Sequence, residues 1–170
     1  RRDCARAYYW KTYGSWHGWD KSMPLTDTRR LSYTLKNALG LPQLVGKVVH
    51  EAARQAVDFV KLQVPVNPEH LGASTMRAFD VVIADSRREI WRVDPKGAPV
   101  LTEQFYADPE FPAKSEAQRA RLVLALDALF KNRWFTDVTA GKVSIVESEQ
   151  MHEWKLQVPG LGVVSCWVVP

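Results

Sequence analysis

The chain has 170 residues, 46% apolar and 25% charged, and a net charge of +4; that length supports one buried core and that balance excludes a disordered chain. No apolar run reaches membrane-spanning length, and the opening Arg1-Arg2-Asp3-Cys4 lacks the hydrophobic centre of a signal peptide. The only cysteines, Cys4 and Cys166, suggest no disulfide framework, so a reducing, cytoplasmic setting and a single domain over 1–170 are expected.

A first helix is predicted over about residues 3–13, stopping before Gly14, with a loop through Asp20. Thr26 or Asp27 caps a second helix to about Ala38, and Gly40 and Pro42 separate it from a third that reaches about Leu62. Asn67-Pro68-Glu69 opens a fourth helix, to about Ile90, because proline suits the first turn behind an N-cap. Ser115-Glu116-Ala117-Gln118 reads as a capping box opening an apolar helix to about Phe130 or Trp134. Three β-like runs follow, Lys142–Glu147, His152–Val158 and Val163–Val169, the last two joined by Pro159-Gly160-Leu161-Gly162. The expected class is therefore α/β (α+β), a helical first two-thirds followed by an antiparallel β-meander.

Charge is unevenly placed. Residues 1–30 hold seven Lys and Arg against three Asp, which accounts for the whole net charge. Tyr8, Tyr9, Trp10, Tyr13, Trp16 and Trp19 lie in the same stretch. Cations neutralise phosphates and rings stack on bases, so Arg2, Arg6, Tyr9 and Lys11 are candidate nucleic-acid-binding residues. Six rings within twelve residues also imply that some belong to the core.

The third helix carries Val45, Val49, Ala52 and Ala56 at helical spacing, a stripe that faces a core. His50 lies just off it, one turn after Gly46, whose missing side chain leaves backbone bare. A histidine there is either a metal or phosphate ligand, or a half-buried side chain satisfied by a neighbour.

Several pieces together resemble a known family. Cys4-Ala-Arg6-Ala-Tyr8-Tyr9 resembles the opening helix of RecB-like members of the PD-(D/E)XK nuclease superfamily, and Gly46-Lys-Val-Val-His50-Glu51 resembles their first motif. The segments 86–96 and 101–106 look like a linker helical region of one branch, and Val163–Pro170 is similar to the strand that leads into the motif Asp. The resemblance implies a restriction-endonuclease-like core and a Mg²⁺- or Mn²⁺-dependent (exo)deoxyribonuclease in which His50 is the metal-binding and catalytic histidine. It further implies DNA as substrate, as a single strand or duplex end, a helicase or recombination partner, and work in DNA repair or phage defence. The motif Asp would follow Pro170, so the chain is expected to be the N-terminal part of a longer nuclease domain. Cys4 occupies the place where some relatives begin an iron–sulfur cluster, although a buried structural thiol is the plainer reading of Cys4 and Cys166.

An internal site is the rival placement. If residues 79–96 form a hairpin, Asp80 would be one metal ligand, Asp94 and Lys96 the D-x-K pair, and Gln118 a later contributor. Two carboxylates would hold the ion that activates water, and Lys96 would stabilise the developing charge. Against it, Pro95 removes a strand donor, and the spacing of Ala73, Met76, Arg77, Asp80, Ala84, Arg87 and Arg88 suits a helix. His17, His70 and His152 show no metal-like spacing. The alternative to the nuclease is a nuclease-derived nucleic-acid-binding module without catalysis; a helical scaffold for protein partners is the third reading.

Overall fold

The computed structural model describes residues 4–142, 152–158 and 162–168. Its elements are α1 (Ala5–Thr12), α2 (Thr28–Lys36), α3 (Leu41–Lys61), α4 (Pro68–Arg87), a 3-10 turn (Ile90–Arg92), α5 (Thr102–Phe105), α6 (Phe111–Lys131), α7 (Arg133–Thr139), β1 (His152–Val158) and β2 (Gly162–Val168).

Local chemistry explains the helix starts. Asp27 accepts the Arg29 N–H at 2.8 Å ahead of α2, and Asn67 accepts the His70 N–H at 3.0 Å ahead of α4. At α3, Pro42 occupies a first-turn position where its missing N–H costs nothing. Gln43 reaches back to the Gly40 N–H at 2.9 Å, and the Glu103 carboxylate accepts the Leu41 N–H at 3.0 and 3.2 Å. α6 begins one turn before the expected capping box. Ser115 is buried inside it and donates to the Pro112 carbonyl at 2.8 Å, while Pro112 sits in the first turn. That helix stops at Lys131 because Asn132 turns extended and caps α7 through the Trp134 N–H at 2.8 Å.

Leu41, Leu44, Val48, Ala52 and Ala56 form the buried stripe of α3, with Val45 and Val49 packed at its border. Leu71, Phe79 and Ile83 answer from α4, Leu122 and Leu126 from α6, and Phe135 from α7. The three long helices thus pack on one another, and α7 closes their core. The segment after α4 returns to the α3 side: Leu39 donates to the Val100 carbonyl at 3.0 Å, Thr102 donates to that of Leu39 at 2.9 Å, and buried Ser86 accepts the Leu101 N–H at 3.2 Å.

The expected α/β (α+β) class is corrected. The fold is mostly helical, and the core among the described residues is formed within 39–135. β1 and β2 pair antiparallel with each other, Trp154 opposite Cys166, and among the described strands neither has another neighbour. The antiparallel β-meander and the restriction-endonuclease-like core built on it are therefore withdrawn. Of the three β-like runs, Lys142–Glu147 lies outside the described residues apart from Lys142. The helices overturn the class because the described core is built from residues 39–135, mostly on helices, with Leu101 supplied by the loop that pairs with Leu39.

Candidate nucleic-acid interface

α1 buries none of its residues. Tyr8, Tyr9, Tyr13 and Trp16 are each more than half exposed, and Trp10 is 36% exposed. The expectation that some of the six rings belong to the core is corrected: none is in a buried cluster, Trp19 is half-buried, and the rings pack on one another instead. Tyr9 packs edge-on to Trp10 at 5.3 Å, Tyr8 to Tyr13 at 6.1 Å, and Trp16 to Trp19 at 5.3 Å. Half-buried Trp19 joins the layer to α2 through Tyr33, at 5.8 Å. Gly18 makes this close approach feasible, since a Cβ there would run into the Arg29 carbonyl and the Tyr33 side chain.

Between α1 and α2 lies an open cleft of about 480 Å³, lined by Trp10, Lys11, Thr28, Ser32, Leu35 and Lys36. Its lining holds two ammonium groups and no carboxylate. Among the described residues, neither Lys11 nor Lys36 has an ion-pair partner, whereas nearby Arg29 is held by Asp27 at 2.9 Å. That hydrogen-bonded pairing keeps the Asp27 carboxyl below its ordinary range and raises the Arg29 guanidinium. Of the predicted binding residues, Arg6, Tyr9 and Lys11 therefore share one exposed helix. Arg2 lies outside the described residues. Lys36, Thr28 and Ser32 were not anticipated, because only the α1–α2 packing brings them to Lys11.

His50 is an exposed residue of α3, on the side of the helix away from the Leu44–Ala52 stripe. A Cβ on Gly46 would meet nothing within 4 Å, so the bare backbone anticipated there faces open space. The adjacent Glu51 carboxylate accepts two bonds from Arg54, at 3.0 and 2.7 Å, and one from Gln55 at 3.1 Å. Arg54 first, then Gln55 and last His50, hold that carboxyl below its ordinary range. Among the described residues, no group of three or more His, Cys, Asp or Glu could hold a metal ion.

The internal site is not assembled as expected. Residues 79–87 belong to helix α4, not to a hairpin, so Asp80 is a helical surface residue paired with Arg119 of α6 at 3.1 Å. Asp94 lies beyond the 3-10 turn, accepting the Gly97 N–H at 3.0 Å and pairing with Lys21 at 3.0 Å. The Gly97 N–H, then Lys21, push its carboxyl down. Lys96 is exposed in the same turn, and Gln118 is a half-buried residue of α6. The helical spacing of 73–88 and the backbone demand of Pro95, which is buried in that turn, explain the failure. The buried thiol expected at Cys4 is corrected: Cys4 is exposed at the start of α1, and the backbone N–H groups of Ala7 and then Arg6 hold its thiol below the ordinary pKa. Cys166 and His152 fall in the two strands; His17 and His70 are exposed.

No protein-family model, curated protein or solved structure matches the chain. No helix among the described residues is long and apolar enough to cross a membrane.

Proposed function

We propose that the chain binds single-stranded DNA across the α1–α2 face. The observation that carries this reading is the cleft in which Trp10 lies beside Lys11 and Lys36 with no carboxylate in the lining. The same N-terminal segment leaves the rings of Tyr8, Tyr9, Tyr13 and Trp16 exposed, with Tyr9 packed against Trp10 at 5.3 Å. Bases of an unpaired strand have free faces to stack on such rings, while the ammonium groups meet the phosphates; a duplex keeps its faces stacked. An apolar, ring-rich surface of this kind is also the usual mark of an interaction site.

Fluorescence anisotropy with a labelled oligothymidylate tests the proposal. Binding should weaken as salt rises, and the double substitution Lys11→Ala with Lys36→Ala should flatten that dependence by roughly two charge equivalents. An unchanged salt slope in the double variant sinks the reading. Hydrolysis of the bound strand, which the nuclease resemblance implies, is a separate question with its own assay. Mn²⁺- or Mg²⁺-dependent cleavage that disappears in His50→Ala would establish it; binding without cleavage in either metal would leave the module reading.

A further inference from the structure

On the opposite side of α2 from the cleft, Arg30 is 2% exposed. One terminal nitrogen donates to the Asp20 carbonyl and the other to the Arg92 carbonyl at 2.6 Å. Both partners are neutral backbone oxygens, and Arg30 forms no ion pair with a carboxylate among the described residues. The nearest relief comes from Asp20, whose carboxylate feels Arg30 only weakly and is held instead by the Ser22 N–H and hydroxyl. The Arg30 Nε–H has no acceptor, and neither does the indole N–H of Trp91, which is 8% exposed. A buried guanidinium without an anion and two buried donors without acceptors are each costly arrangements.

Both residues line one cavity of about 220 Å³, between α2, the 3-10 turn and α5. Thr34 adds a buried hydroxyl, Gln104 an amide, and Leu31 and Phe105 an apolar wall. The acid on this lining, Glu89, is already held by Arg92 at 2.7 Å, so the lining keeps an excess positive charge. Arg92 in turn lies over the Trp91 ring, 4.7 Å from its centroid. Glu89 adopts a left-handed backbone, φ 56°, at the start of the turn that presents Trp91 and the Arg92 carbonyl.

We propose that this cavity binds a small oxyanion, a carboxylate or phosphate monoester carried on a compact apolar or aromatic body. The oxyanion would lie against the Arg30 guanidinium and the Trp91 indole and neutralise the buried charge; Phe105 and Leu31 would cover the body. A cavity of this volume suits a ligand smaller than drug-sized molecules. The site is separate from the α1–α2 cleft, so neither proposal depends on the other.

Benzoate and phenyl phosphate serve as probes, with benzamide as the uncharged control and sodium chloride as the ionic-strength control. The readout is the indole N–H resonance of Trp91 in an ¹⁵N-labelled full chain, assigned by its loss in Trp91→Phe. One of the two anions should shift that resonance saturably, identifying carboxylate or phosphate as the preferred head, while benzamide and chloride leave it in place. Arg30→Lys keeps a charge but loses the planar fork, and should weaken binding about tenfold or more. Trp91→Phe keeps the apolar wall and loses one donor; calorimetry should show binding weakened about fivefold or more. If Arg30→Lys fails to fold, Trp91→Phe carries the test alone. No saturable shift with either anion, or equal affinity in Trp91→Phe, overturns the proposal and leaves a structural arginine bridged by buried water.

Discussion

The layer built from α1, α2 and their loop contrasts with the packed core of α3, α4, α6 and α7. The core puts its apolar side chains inside: Phe79, Leu44, Leu71 and Leu122 are almost wholly buried. The N-terminal layer leaves its large rings outside and satisfies them against one another and Tyr33. The same class of side chain thus serves two ends. In the core, aromatic area is withdrawn from water and stabilises the fold; in the layer, it remains available to a partner. The difference also separates the experimental consequences of changing a ring in either place.

The largest expected contrast is therefore in stability. Phe79→Ala should destabilise the fold by about 3–5 kcal/mol, since a fully buried ring leaves a cavity. Trp16→Ala, at 61% exposure, should cost under about 1 kcal/mol. Urea unfolding followed by far-ultraviolet circular dichroism measures both. Equal losses in the two variants would show that the N-terminal rings belong to the folding unit after all. The binding measurement should reverse the order. Trp10→Ala should lose about 1–3 kcal/mol of affinity for oligothymidylate, as one stacking platform is removed. Its urea midpoint should move little.

Acidification probes the joints between the two regions. The pair Lys21–Asp94 ties the N-terminal loop to the turn after α4, and the Asp94 carboxyl lies below its ordinary value, chiefly through the Gly97 N–H and then Lys21. Asp20 and Asp27 are likewise depressed, by the Ser22 bonds and by Arg29. A carboxyl lowered in the folded state contributes stability that is fully present above its unfolded pKa of about 4. That contribution is lost as the pH falls through the lower folded values. Tryptophan fluorescence, with four of the seven tryptophans at positions 10, 16, 19 and 91 in or beside this layer, should therefore change before the helical signal does. A single coincident transition in both signals would mean that layer and core unfold as one.

Much of the helical frame was legible in the residues, for identifiable reasons. Asp27 and Asn67 are caps whose short side chains reach backbone donors locally, and Pro42 and Pro68 fit only first turns. Local signals fail where distant packing decides. Ser115-Glu116-Ala117-Gln118 has the right letters for a helix start, yet Pro112 and Phe111 begin the helix a turn earlier, with Phe111 in the core. The β-like pattern near the end could not reveal that the preceding helices already close a core without a sheet. The same limit applies to the sites. Arg6, Tyr9 and Lys11 share one helix and could be grouped from spacing alone. Lys36 joins Lys11 in one cleft only through the α1–α2 packing, and Arg30 meets the Arg92 carbonyl across a sequence separation that no periodicity connects.

The smallest effect concerns the turn that carries His50. Glycine inside a helix costs up to about 1 kcal/mol relative to alanine, and such a cost is retained where something must approach the backbone. At Gly46 nothing lies within 4 Å of a would-be Cβ, so Gly46→Ala meets no steric objection. The substitution should raise stability by about 0.5–1 kcal/mol, read as a higher urea midpoint. It should leave oligothymidylate affinity alone, because Gly46 belongs to the outer face of α3 and not to the α1–α2 cleft. If stability rises while metal-dependent cleavage falls, the bare backbone beside His50 serves an approaching ion or phosphate. If stability rises and every activity persists, Gly46 is an ordinary weak point on an exposed helical surface, and His50 has no need of it.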